Sequence, residues 1–263
     1  MSGTVLDLVT LRSGDVMAEV VPARGALVAG LRVGATDVLY LDQATLDDPT
    51  KNVRGGIPVL FPFAGKLVDE MFTLTGTKMK QHGFGRNRAW SVTERDATSV
   101  RMTLAADAET RAQWPYEFTA HHTAMLIPHG IQLELAIVAG DQPLPVSPGW
   151  HPYFALAAAA KGTVRGDVAG VTPDRFGDDR EFDFGVLAPV EGRSRFTLPT
   201  GELLLDASPE LRHLQFWSQP GKPFICIEPF YGPAGTINSD HRGWIPRHEA
   251  RTYWMRIRFA PSH

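Results

Sequence analysis

Three ionisable side chains sit inside short apolar stretches of this chain. His82 lies in Gln81, His82, Gly83, Phe84; His151 lies in Trp150, His151, Pro152, Tyr153; Glu228 follows Phe224, Ile225, Cys226, Ile227 and precedes Pro229 and Phe230. Taking a charge out of water is costly unless something pairs with it, so aromatic and aliphatic surroundings point to a site rather than a solvated face. Two imidazoles and a carboxylate supply an acid and a base. Each has a plainer alternative. Glu228 could be a structural carboxylate held by backbone N–H groups or an arginine, and either histidine could be a core residue donating to a carbonyl. Together the three could also form a two-histidine, one-carboxylate metal triad. They are too far apart in sequence for one helix or hairpin to carry all three, so only the tertiary fold can bring them together.

Basic residues flank an aromatic run. Arg54 precedes Gly55, Gly56, Ile57, Pro58 and then Val59, Leu60, Phe61, Pro62, Phe63, with Lys66 and Arg86 beyond. The glycine pair implies close backbone approach. Converging cations suit sugar hydroxyls, a phosphate or surface carboxylates. Among the other histidines, His121 and His122 are adjacent and point to opposite faces of a strand, His129 belongs to a turn, and His213, His241, His248 and His263 have mostly polar neighbours. None has the spacing of a strong zinc motif, and neither a phosphate-binding P-loop nor a serine nucleophile elbow is present.

Strands must position these groups. Val100, Met102 and Leu104 alternate with Arg101 and Thr103, Ile131 to Ile137 repeats the pattern, and Tyr253, Met255, Ile257 and Phe259 repeat it near the C-terminus. Turn residues at Ser13–Gly14–Asp15, Thr75–Gly76–Thr77 and Pro128–His129–Gly130 separate strand-like runs. The 25 glycines and 20 prolines interrupt helical periodicity, leaving short helices expected near Ala105–Gln113 and Ala155–Ala160. The expected fold is all-β, a large antiparallel β-sandwich with few short helices, forming a single domain over residues 1–263.

A hydrophobic fraction of 43% supports a substantial core, while a net charge of −3 argues against a nucleic-acid partner. The lone cysteine, Cys226, excludes an intramolecular disulfide and fits a reducing compartment. The first residues lack a basic stretch followed by an apolar one, so a cytoplasmic location is expected. No apolar run approaches the roughly 20 residues a membrane helix needs.

Four blocks, taken in order, resemble the aldose 1-epimerase family, which includes the galactose mutarotases and their hexose 6-phosphate and LacX-like relatives. They are Gly56–Pro62 with Gly65, Lys66 and Leu67; His82–Arg86; Trp150–Phe154; and Cys226–Pro229. The resemblance implies a β supersandwich and mutarotation of a hexose or related aldose without metal or cofactor. It casts Glu228 as general base, His151 as general acid and His82 as a residue beside the sugar ring. The candidate contacts for a sugar or sugar phosphate are Arg54, Lys66, Arg86, Gln81, Trp150 and Tyr153, with Arg54 and Arg86 at positions that serve phosphate in the hexose 6-phosphate branch. A noncatalytic carbohydrate-binding role on the same fold is the alternative. Lys66 stands where the family usually has arginine, and its sugar-binding aspartate has no clear counterpart among Asp174, Asp178, Asp179, Asp183 and Asp206. Glu228 and His151, if a few ångströms apart, are expected to stabilise each other's charged forms.

Overall fold

The structure, a computed structural model, describes residues 7–177 and 180–262. Asp178, Asp179, His263 and the Met1–Leu6 segment behind the location argument lie outside the described residues. Antiparallel strands dominate, as the alternation predicts. An eight-stranded sheet runs in the order Arg165–Gly166, Arg193–Leu198, Gly201–Ala207, Ala250–Pro261, Gly130–Ala139, Phe118–Ile127, Ser99–Ala105 and Ser91–Arg95. A second sheet has the order Phe182–Leu187, His213–Ser218, Phe224–Phe230, Gly149–Trp150 and Val59–Leu60, and Tyr153–Ala155 also pairs with Phe224–Phe230. Val9–Ser13, Val16–Val21, Leu27–Val33 and Thr36–Asp37 form a four-stranded meander.

One apolar cluster takes side chains from these three larger sheets, including Leu31, Ile131, Leu133, Ile225, Ile227, Met255 and Ile257. Leu133 faces Met255 and Ile131 faces Ile257 across the ladder, and all four are fully buried. Burying each such side chain contributes roughly 1.5–3 kcal/mol, and a slip of one residue would turn the whole set toward solvent. The three expected turns connect strands, with Gly14, Gly76 and His129 in the left-handed region at φ 58°, 70° and 61°.

Helix is confined to short pieces. Ala108–Gln113 lies within the expected Ala105–Gln113 segment, but Ala105 closes a strand. The helix starts late because Asp107 caps it: its carboxylate accepts from the Thr110 N–H, and Thr110 Oγ1 accepts from the Asp107 N–H. The short helix expected near Ala155–Ala160 forms as a 3-10 segment displaced toward the C-terminus. Ala155 ends a strand, and the segment runs over Ala158–Thr163, where the buried Lys161 donates to the Gln219 carbonyl at 2.6 Å. Alanine methyls offer too little apolar surface to hold a longer helix by packing. No helix among the described residues is long and apolar enough to cross a membrane.

The strand Phe224–Phe230 is buried along its whole length, with different surroundings on its two faces. Ile225 and Ile227 enter the main cluster, while Cys226 and Phe230 pack into small separate clusters on the opposite side. Period two places Glu228 on the same side as Cys226 and Phe230.

Candidate active site

Pairing across the second sheet sets up the site. Trp150 faces Val59, Gly149 faces Leu60, and the His151 N–H donates to the Pro58 carbonyl at 3.0 Å. This short pairing turns Trp150 and His151 to opposite sides. The preceding glycines make the approach possible: a Cβ on Gly55 would lie 2.5 Å from Tyr40 O, and one on Gly56 would lie 2.4 Å from Val28 O. The close approach anticipated there is therefore made by neighbouring backbone.

His82 is held in the left-handed region, at φ 67°, which is uncommon for a residue with a Cβ. Reciprocal bonds hold it there: its N–H donates to Gly65 O at 2.9 Å, and its Nδ1 accepts from the Gly65 N–H at 2.9 Å. The proton of the neutral ring consequently sits on Nε2, 3.0 Å from the Gln81 amide nitrogen, so the Gln81 amide must turn its oxygen toward the ring to accept it. Gly83 follows, also at positive φ, where a Cβ would lie 2.5 Å from Phe61 O.

These segments converge on a cleft of about 350 Å³. His82, His151, Glu228, Arg54, Lys66, Arg86, Gln81 and Tyr153 all line it. Trp150 does not. It is fully buried in the main cluster, and its Nε1–H donates to His122 Nε2 at 3.1 Å, so the sugar contact expected of Trp150 is replaced by a core hydrogen bond. Of the adjacent histidines, His122 faces inward as the opposite-face argument requires, and His121 bonds Thr103 Oγ1 on the other side at 2.8 Å.

At the cleft floor, His151 Nε2 lies 3.4 Å from Glu228 Oε2, with the two side chains only 8% and 2% exposed. Glu228 Oε2 makes no hydrogen bond within the protein. Tyr153 stacks on the His151 ring at 4.6 Å between centroids, Trp217 meets it edge-on at 5.8 Å, and His82 meets it edge-on at 5.5 Å. Burial dominates the electrostatics. Loss of water pushes Glu228 well above the usual carboxylate range, reinforced by Asp183 and opposed by Arg86. Burial pushes His151 well below the usual imidazole value, with Arg86 and Arg54 acting in the same direction. It lowers His82 likewise, assisted by Arg86, His151 and Lys66. The mutual stabilisation of charged forms expected for Glu228 and His151 is thus outweighed by desolvation, and both shifts favour the neutral forms.

Of the aspartates weighed as the sugar-binding acid, Asp183 lines the cleft while Asp174 and Asp206 do not, and further walls come from residues the sequence did not single out. Glu181, Gln215 and Trp217 line it with Asp183. In register, Asp183 faces Trp217, which faces Cys226, and Gln215 faces Glu228. The Gln215 side chain bridges two neighbours: its amide donates to Asp183 Oδ1 and its Oε1 lies 2.8 Å from His213 Nε2. Arg54 lies over the Trp217 ring at 5.3 Å. The local signal for Asp183 was its alternation with Phe182 and Phe184, which marks an outward-facing polar position without saying what it faces. The three-ligand metal arrangement also differs from the one considered. Among the described residues the donor atoms that cluster are those of His151, Cys226 and Glu228, whereas the His82 nitrogens are directed to Gly65 and Gln81.

Comparison with known proteins gives concordant findings. The family described as Aldose 1-epimerase matches residues 7–238. A crystal structure of the Slr1438 protein from Synechocystis sp. PCC 6803 superposes with a TM-score of 0.91 at 26% identity, covering 100% of this chain and 98% of that one. The galactose mutarotase related enzyme from Lactobacillus acidophilus shares the fold, with a TM-score of 0.81 at 17% identity over 96% of this chain and 97% of that one. An Escherichia coli (strain K12) protein named "Putative glucose-6-phosphate 1-epimerase" is 29% identical over 170 residues, which is 61% of this chain and 52% of the relative. The chain spans about half the length of the curated relatives it matches.

Proposed function

Because the chain belongs to the aldose 1-epimerase family, we propose that it interconverts the α and β anomers of an aldose, with Glu228 as general base and His151 as general acid. The observation that carries this reading is the 3.4 Å approach of His151 Nε2 to Glu228 Oε2 at the floor of a cleft. A bound cyclic sugar, whose hydroxyls solvate the ion pair, lets the proton pass from Glu228 to His151. The Glu228 carboxylate then takes the proton from the anomeric hydroxyl. The electron pair left on O1 forms the carbonyl, the C1–O5 bond breaks, and O5 takes a proton from the His151 imidazolium. Rotation about C1–C2 and the reverse proton transfers close the other anomer.

The buried setting suits both transfers. A carboxylate with a raised pKa is the stronger base, and an imidazolium with a lowered pKa is the stronger acid. Ring opening leaves Glu228 and His151 neutral, the forms that burial favours, while reclosure restores the ion pair with help from the bound sugar's hydroxyl groups. His82, with Nε2 carrying its proton, supplies a donor beside the ring. Asp183, Arg54, Lys66 and Arg86 provide acceptors and donors for the remaining hydroxyls, and Tyr153 buttresses the His151 ring. The steps are balanced proton transfers and call for no electron acceptor. The single cysteine supports a cytoplasmic setting.

A second reading assigns the substrate a 6-phosphate. Three cations on the cleft, Arg54, Lys66 and Arg86, favour it, as does the name of the Escherichia coli relative. Exchange spectroscopy of α and β anomers over matched free and 6-phosphorylated aldoses tests both. Mutarotase activity requires saturable acceleration over buffer with at least one aldose. A tenfold or larger kcat/KM preference for phosphorylated substrates, lost on charge removal at Arg54 and Arg86, selects the second reading. Saturable binding without acceleration leaves a carbohydrate-binding protein.

A further inference from the structure

We propose that His151 Nε2 and the Glu228 carboxylate, which line the cleft, together with the fully buried Cys226 Sγ beside them, bind a soft divalent cation, Zn²⁺ or Cd²⁺, and that this ion inhibits the protein. The three donor atoms all lie within 4.8 Å of one another, and the residues are 6%, 1% and 0% exposed, respectively. The His151–Glu228 edge already has the right length. Two ligands about 2.1 Å from a zinc ion and subtending a tetrahedral angle lie roughly 3.4 Å apart, and these two atoms are 3.4 Å apart. Cys226 precedes Glu228 by two residues on the same face of the strand, so a side-chain adjustment of about 1 Å brings its sulfur to coordination distance.

An independent observation points to a cation. Glu228 Oε2 is buried without a hydrogen-bond partner while lying next to His151, and an ion between them would satisfy that acceptor. The donor set of one sulfur, one imidazole nitrogen and one carboxylate selects Zn²⁺ or Cd²⁺ over Mg²⁺ or Ca²⁺. Because His151 and Glu228 line the cleft, a fourth ligand, water or a sugar hydroxyl, would reach the ion from that side. Arg86, Lys66 and Arg54 line the same cleft and oppose a second positive charge, so micromolar rather than nanomolar binding is expected. The ion would take the His151 lone pair and the Glu228 carboxylate, the atoms that exchange protons in the proposed reaction. Inhibition rests on that functional reading; metal binding does not.

Cobalt titration of the chelator-treated protein reads the site directly. The wild type is expected to show one bound Co²⁺ with a thiolate-to-cobalt charge-transfer band, displaced by one equivalent of Zn²⁺. Cys226→Ser and Cys226→Ala, checked for folding by circular dichroism, are expected to lose the band and bind Zn²⁺ at least tenfold more weakly. Absence of the band in the wild type, or unchanged Zn²⁺ affinity in the folded variants, overturns the site. Anomer exchange is then measured with and without Zn²⁺, each protein referred to its own metal-free rate. Wild-type exchange should fall in proportion to occupancy, and the Cys226 variants should resist the same concentration. Full exchange with the site occupied overturns inhibition together with the acid and base roles of His151 and Glu228. A protein without any exchange activity fails the functional reading while the cobalt spectrum still decides the metal site.

Discussion

Trp150 and His151 are neighbours in sequence and belong to different regions of the molecule. Trp150 enters the core and donates to His122 at 3.1 Å; His151 enters the cleft and faces Glu228 at 3.4 Å. Both histidines are buried, and burial lowers both, His122 to about 4 and His151 well below its ordinary value. Burial therefore does not distinguish a structural histidine from a reactive one. The partners do. His122 accepts from an indole that can only donate, giving a neutral bond with nothing to exchange. His151 lies beside a carboxylate oxygen with no hydrogen bond, close to the Arg86 charge and open to a cleft. An unsatisfied acceptor next to an ionisable ring is a place where a substrate proton can go.

Separating the two regions by mutation gives opposite signatures. Glu228→Gln is expected to lower kcat/KM for anomer exchange by about 10²- to 10⁴-fold, the range for a positioned proton transfer, with little change in thermal unfolding because its shape is kept. Exchange spectroscopy and calorimetry on one preparation check both halves, and unaltered exchange would remove Glu228 from the chemistry. For His122→Ala the effect moves to stability. A cavity and an orphaned Trp150 N–H should cost about 2–4 kcal/mol in denaturant unfolding, with exchange per folded molecule within about twofold of wild type. A folded His122→Ala protein without exchange would break the distinction between the regions.

An effect confined to acid pH concerns stability. His122 titrates at 6.5 when unfolded and about 4 when folded, so below 6.5 the unfolded state binds the extra proton. Its contribution is complete above pH 6.5 and lost as pH falls toward 4, amounting to about 3 kcal/mol over that window. His122→Gln can accept from Trp150 without titrating. It should flatten the unfolding free energy against pH by about one proton in this range, and an unchanged slope would place the acid sensitivity elsewhere.

The strand pattern was legible because alternation is a local property. Ile131, Leu133, Leu135 and Ile137 announce their buried face whatever they pack against. The same holds for the left-handed turns at Gly14 and Gly76. His82, His151 and Glu228 were visible because their immediate neighbours are apolar. The misreadings have local causes too. Trp150 shares the apolar block of His151, but nothing in the block says which of two adjacent residues faces the cleft. The alanines near Ala155–Ala160 satisfy helix propensity without supplying a packing face to fix where the helix begins. Asp183 and Gln215 look like ordinary exposed strand residues.

The sequence by itself determined an all-β chain with three ionisable groups in apolar settings, because side-chain alternation and residue type act over a few positions. The tertiary structure alone decided that His151 meets Glu228 at the cleft with Cys226 buried close to both, that Trp150 belongs to His122, and that Asp183 overlooks the site. Those outcomes depend on register between strands far apart in the chain, and on how much water remains once the sheets have packed. Neither is encoded in any single segment.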